Sequence, residues 1–259
     1  MTVSKTAGLR SFINRLLGHS ALGDKEQAAI LALPASEIDI QPRQDFGQAG
    51  EEVSHACLIS SGVVARFGQI ANGRRQIIGF HIEGDMPDLH SVIRPIGMGG
   101  LTTLTRTRIL RIHHKHIRQV ATRFPGVGEA LWRDTLVDAA VATHRMISIG
   151  RRSARARVAH LFCEMSIRMG GNRRALLQYD FPVVQEHLAD ATGMTPVHLN
   201  RCLKSLEHDG LLMIERGKVH IYDWAQLAKI GGFDGAYLLG REAGPTELNL
   251  IERTGADAV

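Results

Sequence analysis

The sequence has only three cysteines in 259 residues, Cys57, Cys163 and Cys202, and no two of them are spaced as CxxC. That argues against a disulfide framework, a zinc finger and a four-cysteine iron–sulfur site. No apolar run reaches the roughly 18 residues of a membrane-spanning helix. A continuous apolar signal core is missing too. Lys5, Arg10, Arg15 and His19 interrupt residues 1–23, which read as a short amphipathic helix of a cytoplasmic protein. Internal repeats and low-complexity tracts are absent. What is present is 44% apolar against 22% charged residues, enough to bury a core and to exclude wholesale disorder. The length fits one or two domains.

The net charge of +5 is unevenly placed. Residues 151–220 carry 11 Lys/Arg against 7 Asp/Glu, while residues 1–150, twice as long, carry 17 against 13. Residues 221–259 are acidic, with 3 against 6. The basic block suggests a polyanionic partner such as nucleic acid, or else a solvated basic surface.

Residues 38–112 read as β. Short apolar runs at 55–60, 63–70, 76–82, 101–105 and 109–112 alternate with Gly and polar turns, and Asn72-Gly73 suits a tight hairpin. Many short strands of this kind suggest a small antiparallel barrel or roll. Residues 87–100 are rich in Pro and Gly and form a loop within it. His113, His114 and His116 read as a solvent-exposed connection from strand to helix.

A long helix follows from Pro125 to about Ile149, with two apolar stripes. One holds Val127, Leu131, Val137 and Val141, with His144. The other holds Trp132, Leu136, Ala139, Thr143 and Ile147. One stripe packs on the roll and leaves the other for a partner helix, or both are buried within one subunit. Spacing does not decide between the stripes; Val127, Leu131, Val137 and Val141 are taken as the dimerisation residues. Gly150 with Arg151, Arg152, Arg155 and Arg157 marks a hinge or a solvated helix start. A second helix runs over 158–169, closed by Gly170-Gly171-Asn172. The tail after Trp224 is Gly-rich, then acidic, with partial disorder expected at its end.

Residues 183–208 (VVQEHLADATGMTPVHLNRCLKSLEH) carry the functional argument. Counted from Gln185, Leu188 is fourth, Ala189 fifth, Gly193 ninth, Leu199 fifteenth and Cys202 eighteenth, the spacing of a helix–turn–helix. Ala189 lets the second helix cross closely, and Gly193 supplies a left-handed turn. Thr195 is an N-cap with Pro196 at the first helical position. Asp209-Gly210 closes the helix. The face opposite the apolar one shows Pro196, Val197, Asn200, Arg201, Lys204 and Ser205. Pro196, Val197, Asn200 and Arg201 are the expected base-reading residues, with Arg201 suited to guanine O6 and N7 and Val197 to a thymine methyl. Thr195, His198 and Lys204 are expected at phosphates. Residues 211–222 alternate around Arg216-Gly217-Lys218, a hairpin wing whose Arg216 and Lys218 would lie near the DNA backbone. A winged helix used only for protein contacts is the alternative.

This order of elements resembles the CRP/FNR family of bacterial transcription regulators over roughly residues 30–225. The resemblance rests on residues 58–89, with Gly62, Gly73, Gly79 and Gly84-Asp85 at turns, on 150–165 (GRRSARARVAHLFCEM), and on 185–212. It implies an α+β fold: an N-terminal antiparallel β-roll of the cyclic-nucleotide-binding type (residues 1–124), a long dimerisation helix (125–150) and a C-terminal winged helix–turn–helix domain (151–225), followed by a tail (226–259). Cyclic-AMP-binding members carry a Glu for the ribose and an Arg-Ser or Arg-Thr pair for the cyclic phosphate. Residues 84–105 have neither, and Arg94 is their only cation, so cyclic-AMP control is not expected. No Cys precedes Cys57, so the N-terminal iron–sulfur sensor of other members is absent. Haem sensing through His55, His81 or His90 stays open, although such residues usually serve the roll itself. Many members have Arg-Glu at the positions matching Pro196 and Val197 and an Arg at Arg201. Only Arg201 survives, which implies a different operator or more reliance on DNA shape.

The expectation is therefore a homodimeric, sequence-specific DNA-binding regulator of an inverted-repeat duplex, with RNA polymerase as a further candidate partner. It has no cofactor, no membrane partner and no enzymatic activity. In a second reading the roll is only a dimerisation scaffold, and regulation follows abundance or a partner protein. A remote third is a small β-barrel metalloenzyme using His55, His81, His90 and Glu83.

Overall fold

Period-two patterning with glycine at the turns builds an antiparallel roll in the first of two units, Met1–Ala142 and Thr143–Val259. The structure, a computed structural model, describes residues 3–170, 174–239 and 249–251. Helices α1 (Val3–Leu17) and α2 (Asp24–Leu31) precede strands β1 (Ser36–Ile40), β2 (Asp45–Gly47), β3 (His55–Ser61), β4 (Val64–Gln69), β5 (Arg75–His81), β6 (Gly100–Thr103) and β7 (Thr107–His113). They form two sheets, ordered β1-β7-β3 and β2-β6-β4-β5, with every pairing antiparallel. The five strands expected from alternation are present. β1 and β2, which are short and mostly polar, carry no comparable signal. At the β4–β5 hairpin Asn72 Oδ1 accepts from Arg74 N at 3.1 Å, and Gly73 has φ +84°.

The N-terminal helix belongs to the core. Leu9, Phe12 and Leu16 of α1 pack with Leu58 of β3, Leu110 and Ile112 of β7, and Val127 and Ala130 further on. Burying each large side chain contributes about 1.5–3 kcal/mol. Gly84 makes the approach possible. Its φ is +88°, and a Cβ there would lie 2.8 Å from the Ser11 carbonyl oxygen.

Helices α3 (His114–Arg123) and α4 (Pro125–Arg151) follow. His114 corrects one expectation. It is buried, and its Nε2 lies 2.8 Å from Ser91 Oγ, so the strand-to-helix connection is only partly exposed. The long helix corrects another. Val127, Val137 and Val141 are buried by the chain itself and Leu131 packs partly on the roll core, so the stripe assigned to the dimer faces inward. The other stripe is open: Trp132 is 77% and Leu136 66% exposed. Sequence periodicity could not choose, because the choice depends on where α1 and the roll pack.

A buried ionic network joins the parts of this unit. Arg15 of α1 donates to Asp85 Oδ1 (2.5 Å) and to Asp134 Oδ1 of α4 (2.6 Å), and His19 Nε2 lies 3.2 Å from the same Asp134 oxygen. One turn along α4, Asp138 accepts from Arg66 of β4 at 2.7 Å. Burial penalises the Arg15 charge, but Asp134, Asp85 and Asp138 outweigh it and raise its pKa. Burial likewise pushes the Asp138 carboxyl up, while Arg66, His81 and Arg15 hold it below the usual range.

In the second unit, α5 (Ala154–Met169) is fully buried from Val158 to Ile167. The helix break falls at Arg152-Ser153 and not at Gly150, which lies inside α4. Ser153 caps α5 by accepting from Ala156 N at 3.3 Å. There follow β8 (Arg174–Leu176), β9 (Gln178–Asp180), α6 (Gln185–Ala191), α7 (Pro196–His208), β10 (Leu212–Glu215), β11 (Lys218–Ile221), α8 (Trp224–Gly231), α9 (Ala236–Leu239) and β12 (Asn249–Ile251), the last parallel to β8. Residues 226–239, read above as the start of a tail, are folded. Arg152 donates to the carbonyl oxygens of Gly231 (2.9 Å) and Gly232 (3.2 Å). The Tyr237 ring stacks on His144 at 3.9 Å, and its hydroxyl donates to Glu164 Oε2 at 3.1 Å. Glu164 is also held by Arg145 (3.2 Å) and Arg168 (3.4 Å). The acidic end of the tail beyond Ile251 lies outside the described residues, as do Gly171 and Asn172 after α5.

Two outcomes test this packing. Arg15→Met strands two buried carboxylates and lowers stability by about 3–5 kcal/mol in urea unfolding; a loss under about 1 kcal/mol means the network is not buried as described. Burial pushes the His160 imidazole down to about 4, with Glu164 opposing and Arg152 and Arg145 adding to the fall. The unfolded chain then takes the proton first. Stability is full above the unfolded value near 6.5 and declines as pH drops toward 4. The melting temperature should fall over that window, and less steeply in His160→Asn; identical profiles would contradict the burial of this ring.

Candidate nucleic-acid interface

Local sequence sets the geometry of the helix–turn–helix. Val184 precedes α6 in extended conformation, and Leu188 and Ala189 face inward at 2% and 1% exposure. Gly193 turns the chain at φ +64°, a backbone that a β-carbon penalises. Thr195 Oγ1 then accepts from His198 N at 3.3 Å, and Pro196 opens α7 where its missing N–H costs nothing. Leu199, Cys202 and Leu206 fill the space beneath α7. Burial pushes the Cys202 thiol up, against Arg157 and Arg155, and all three cysteines are buried and free.

With that face buried, Pro196, Val197, His198, Arg201 and Lys204 are exposed, Val197 by 64%, and Asn200 and Ser205 are half-buried. Arg201 and Lys204 make no ion pair or hydrogen bond among the described residues. Asn200 Nδ2 donates to Gln185 Oε1 at 3.3 Å, which ties the reading face to the start of α6. Sequence spacing gave no sign of that pairing.

The wing is a three-stranded sheet ordered β10-β11-β9. Glu215 pairs with Lys218 across a two-residue turn in which Arg216 (φ +49°) and Gly217 (φ +79°) are both left-handed. Such a turn matches the twist of a hairpin. Arg216 at its tip has a 91% exposed side chain, and Lys218 is exposed beside it. α7 and the wing therefore present Thr195, His198, Arg201, Lys204, Arg216 and Lys218 to solvent within one unit. The arginines before them are largely engaged. Arg157 Nη1 donates to the Thr192 and Gly193 carbonyl oxygens (2.8 and 3.3 Å), and Arg155 pairs with Asp209.

The roll has a small cleft, open to solvent, lined among others by Phe46, Cys57, Arg66, Asp88, His90 and Met98. Its cation is Arg66 of β4, not Arg94, and Arg66 already donates to Asp138 and to the Pro87 carbonyl. Asp88 Oδ1 accepts from Cys57 N at 2.8 Å, and burial raises its carboxyl to about 6. Among the described residues no three His, Cys, Asp or Glu side chains converge as a metal site. His55 meets Arg111 at 2.8 Å, His81 lies near Asp85 and Asp138, and Glu83 accepts from Ser11 Oγ at 2.5 Å. His55, His81 and Glu83 thus have different neighbours and do not converge on one point. No helix among the described residues is long and apolar enough to cross a membrane.

Comparison with known proteins agrees with this geometry. Residues 156–230 match the Crp-like helix-turn-helix domain family. The chain is 24% identical to the transcriptional activator protein FnrL of Cereibacter sphaeroides, over 82% of this chain and 86% of that protein. Its fold is similar to FixK2 from Bradyrhizobium japonicum, with a TM-score of 0.69 and 22% identity over 78% of this chain and 100% of the other. It is also similar to a CRP-family transcriptional regulator of Thermus thermophilus, with a TM-score of 0.53 and 17% identity over 76% and 97%. Residues 156–230 thus carry a Crp-like helix–turn–helix domain, and most of the chain is similar in sequence to FNR-type transcriptional activators and in fold to CRP/FNR-type regulators.

Proposed function

We propose that the chain works as a homodimer that binds an inverted-repeat duplex in a sequence-specific manner and controls transcription in the cytoplasm. The observation that carries this reading is the outward face of α7, where Val197, Arg201 and Lys204 are exposed opposite a fully packed inner face. The start of such a helix fits the major groove. Pro196, Val197, Asn200 and Arg201 face the bases, with Arg201 donating two hydrogen bonds to guanine O6 and N7 and Val197 touching a thymine methyl. Asn200 gives up part of its reach to Gln185. Thr195, His198, Lys204, Arg216 and Lys218 hold phosphates on either side.

The dimer contact proposed now is the open stripe of α4, Trp132, Leu136 and Ala139, continued by Thr143 and Ile147. Two copies joined there would present two reading helices about one DNA turn apart. The roll (residues 1–124), the long helix (125–150) and the winged helix (151–225, with α8 and α9 folded onto it) are the working parts.

Control by cyclic AMP is not part of this reading. A cyclic phosphate needs a cation, whereas Arg66 is engaged by Asp138 and Pro87 and the Asp88 carboxyl stands in the same cleft. Those engaged groups favour a second reading of regulation, in which the roll is a scaffold and output follows abundance or a partner protein. RNA polymerase is the partner proposed for transcriptional output, and no enzymatic activity is assigned.

Arg201→Ala should lower affinity for an operator selected from random duplexes about 10- to 100-fold and relax the preference at one base pair; unchanged affinity and selectivity would remove α7 from the interface. Lys218→Ala should weaken selected and random duplexes alike and reduce the salt slope by about one. In equilibrium sedimentation Leu136→Glu should convert dimer to monomer with the roll still folded, while Val137→Glu should unfold the roll. A Leu136→Glu protein that stays dimeric would move the contact elsewhere.

A further inference from the structure

Both ends of α7 are tied to the first turn of α5. At its entry, Arg157 Nη1 donates to the carbonyl oxygens of Thr192 (2.8 Å) and Gly193 (3.3 Å), in the turn between the two helices. At its exit, Arg155 Nη2 pairs with Asp209, the C-cap of α7. Gly193 is enclosed from two sides: a Cβ on it would lie 3.4 Å both from Arg157 Nη1 and from Ile149 Cγ2. The turn is wedged between the last turn of α4 and an arginine that begins α5, directly beyond the break at Arg152-Ser153.

We propose that Arg157 is a positioning residue for DNA reading: it fixes the turn that aims α7, with the Arg155–Asp209 pair holding the opposite end, and it does so without touching DNA. The proposal rests on the reading of α7 as the DNA-binding helix. The chemistry favours a brace over a phosphate contact. The Arg157 guanidinium is half-buried, and a charged N–H donor bonds a carbonyl more strongly than a neutral donor does. Those carbonyls belong to a turn, so no helix ladder fixes their direction, and a planar fork holds such a group where a flexible ammonium does not. Because α7 is held at both ends, a rotation of α5 about the break turns the reading face with it.

A brace and a phosphate contact predict different salt behaviour. Losing a phosphate contact weakens every duplex and lowers the salt slope by about one. Losing a brace misaims the base-reading residues and leaves non-specific attraction intact. The test uses the full chain and an operator selected by the wild type from random duplexes. Affinities for that operator and for random duplex are measured over a salt series for wild type, Arg157→Met and Arg157→Lys. The same is done for Arg155→Asp alone and with Asp209→Arg, and helix content is followed by circular dichroism. The expected result is an operator affinity about tenfold lower in Arg157→Met, less than about twofold change on random duplex and an unchanged salt slope. Arg157→Lys should recover only part of the loss. Arg155→Asp should weaken operator binding and Asp209→Arg should restore it. Should Arg157→Met fail to fold, Arg157→Lys and the charge swap carry the same decision. Wild-type operator affinity in these variants overturns the proposal, and so does an equal loss on both duplexes with a reduced slope. A wild type that selects no duplex overturns the DNA reading itself, and this proposal with it.

Discussion

Burial beneath α7 decides what the molecule can offer to a partner. Leu199, Cys202 and Leu206 recur at helical spacing and pack inward, where Leu188 and Ala189 of α6 are buried in turn. Once that face is committed, the period of an α-helix leaves Val197, Arg201 and Lys204 with no place but the surface. A turn that could not adopt the left-handed backbone of Gly193 would send α7 elsewhere, and a residue larger than Ala189 would hold it off. The positive charge of residues 151–220 gains direction from this packing. Arg155 and Arg157 turn back onto the protein, and Arg201, Lys204, Arg216 and Lys218 face out.

Each unit also contains a buried carboxylate held by basic side chains. In the first, Arg15 and His19 converge on Asp134, and Arg15 reaches on to Asp85. In the second, Arg145 and Arg168 converge on Glu164, with the Tyr237 hydroxyl as a third donor. Such clusters gain little over an apolar core of the same shape, yet losing one partner strands a charge in a dry site. They therefore fix which segments must be together: α1 with the roll loop and α4, and the C-terminal helices with α5. That explains why residues 226–239 are folded although their composition suggested a tail.

Much of this was legible in the sequence because it depends on local rules. Alternation between Gly turns located β3 to β7, and the cap, glycine and apolar spacing located α6, α7 and the wing. What escaped depends on long-range packing. The two stripes of α4 have the same period, and only the folded chain shows that Val127, Val137 and Val141 are covered, Val127 by the core of α1 and the roll, while Trp132 and Leu136 are not. His114 looked exposed because its neighbours are polar, but its ring reaches Ser91, 23 residues away. Residues 84–105 hold no Lys or Arg but Arg94, whereas the cation of the roll cleft, Arg66, enters from β4. Arg157 could be read as basic but not as a brace, since its acceptors are backbone oxygens 35 and 36 residues further on.

The proposed function requires α7 to enter the major groove of DNA twice, once from each copy of the chain. Guanine N7 lies in that groove, so methylation interference at N7 reports on it directly. On a selected operator the expected pattern is two clusters of interfering guanines, about one helical turn apart and related by the inverted repeat. Interference absent at every guanine N7 of a bound, guanine-containing operator would contradict it.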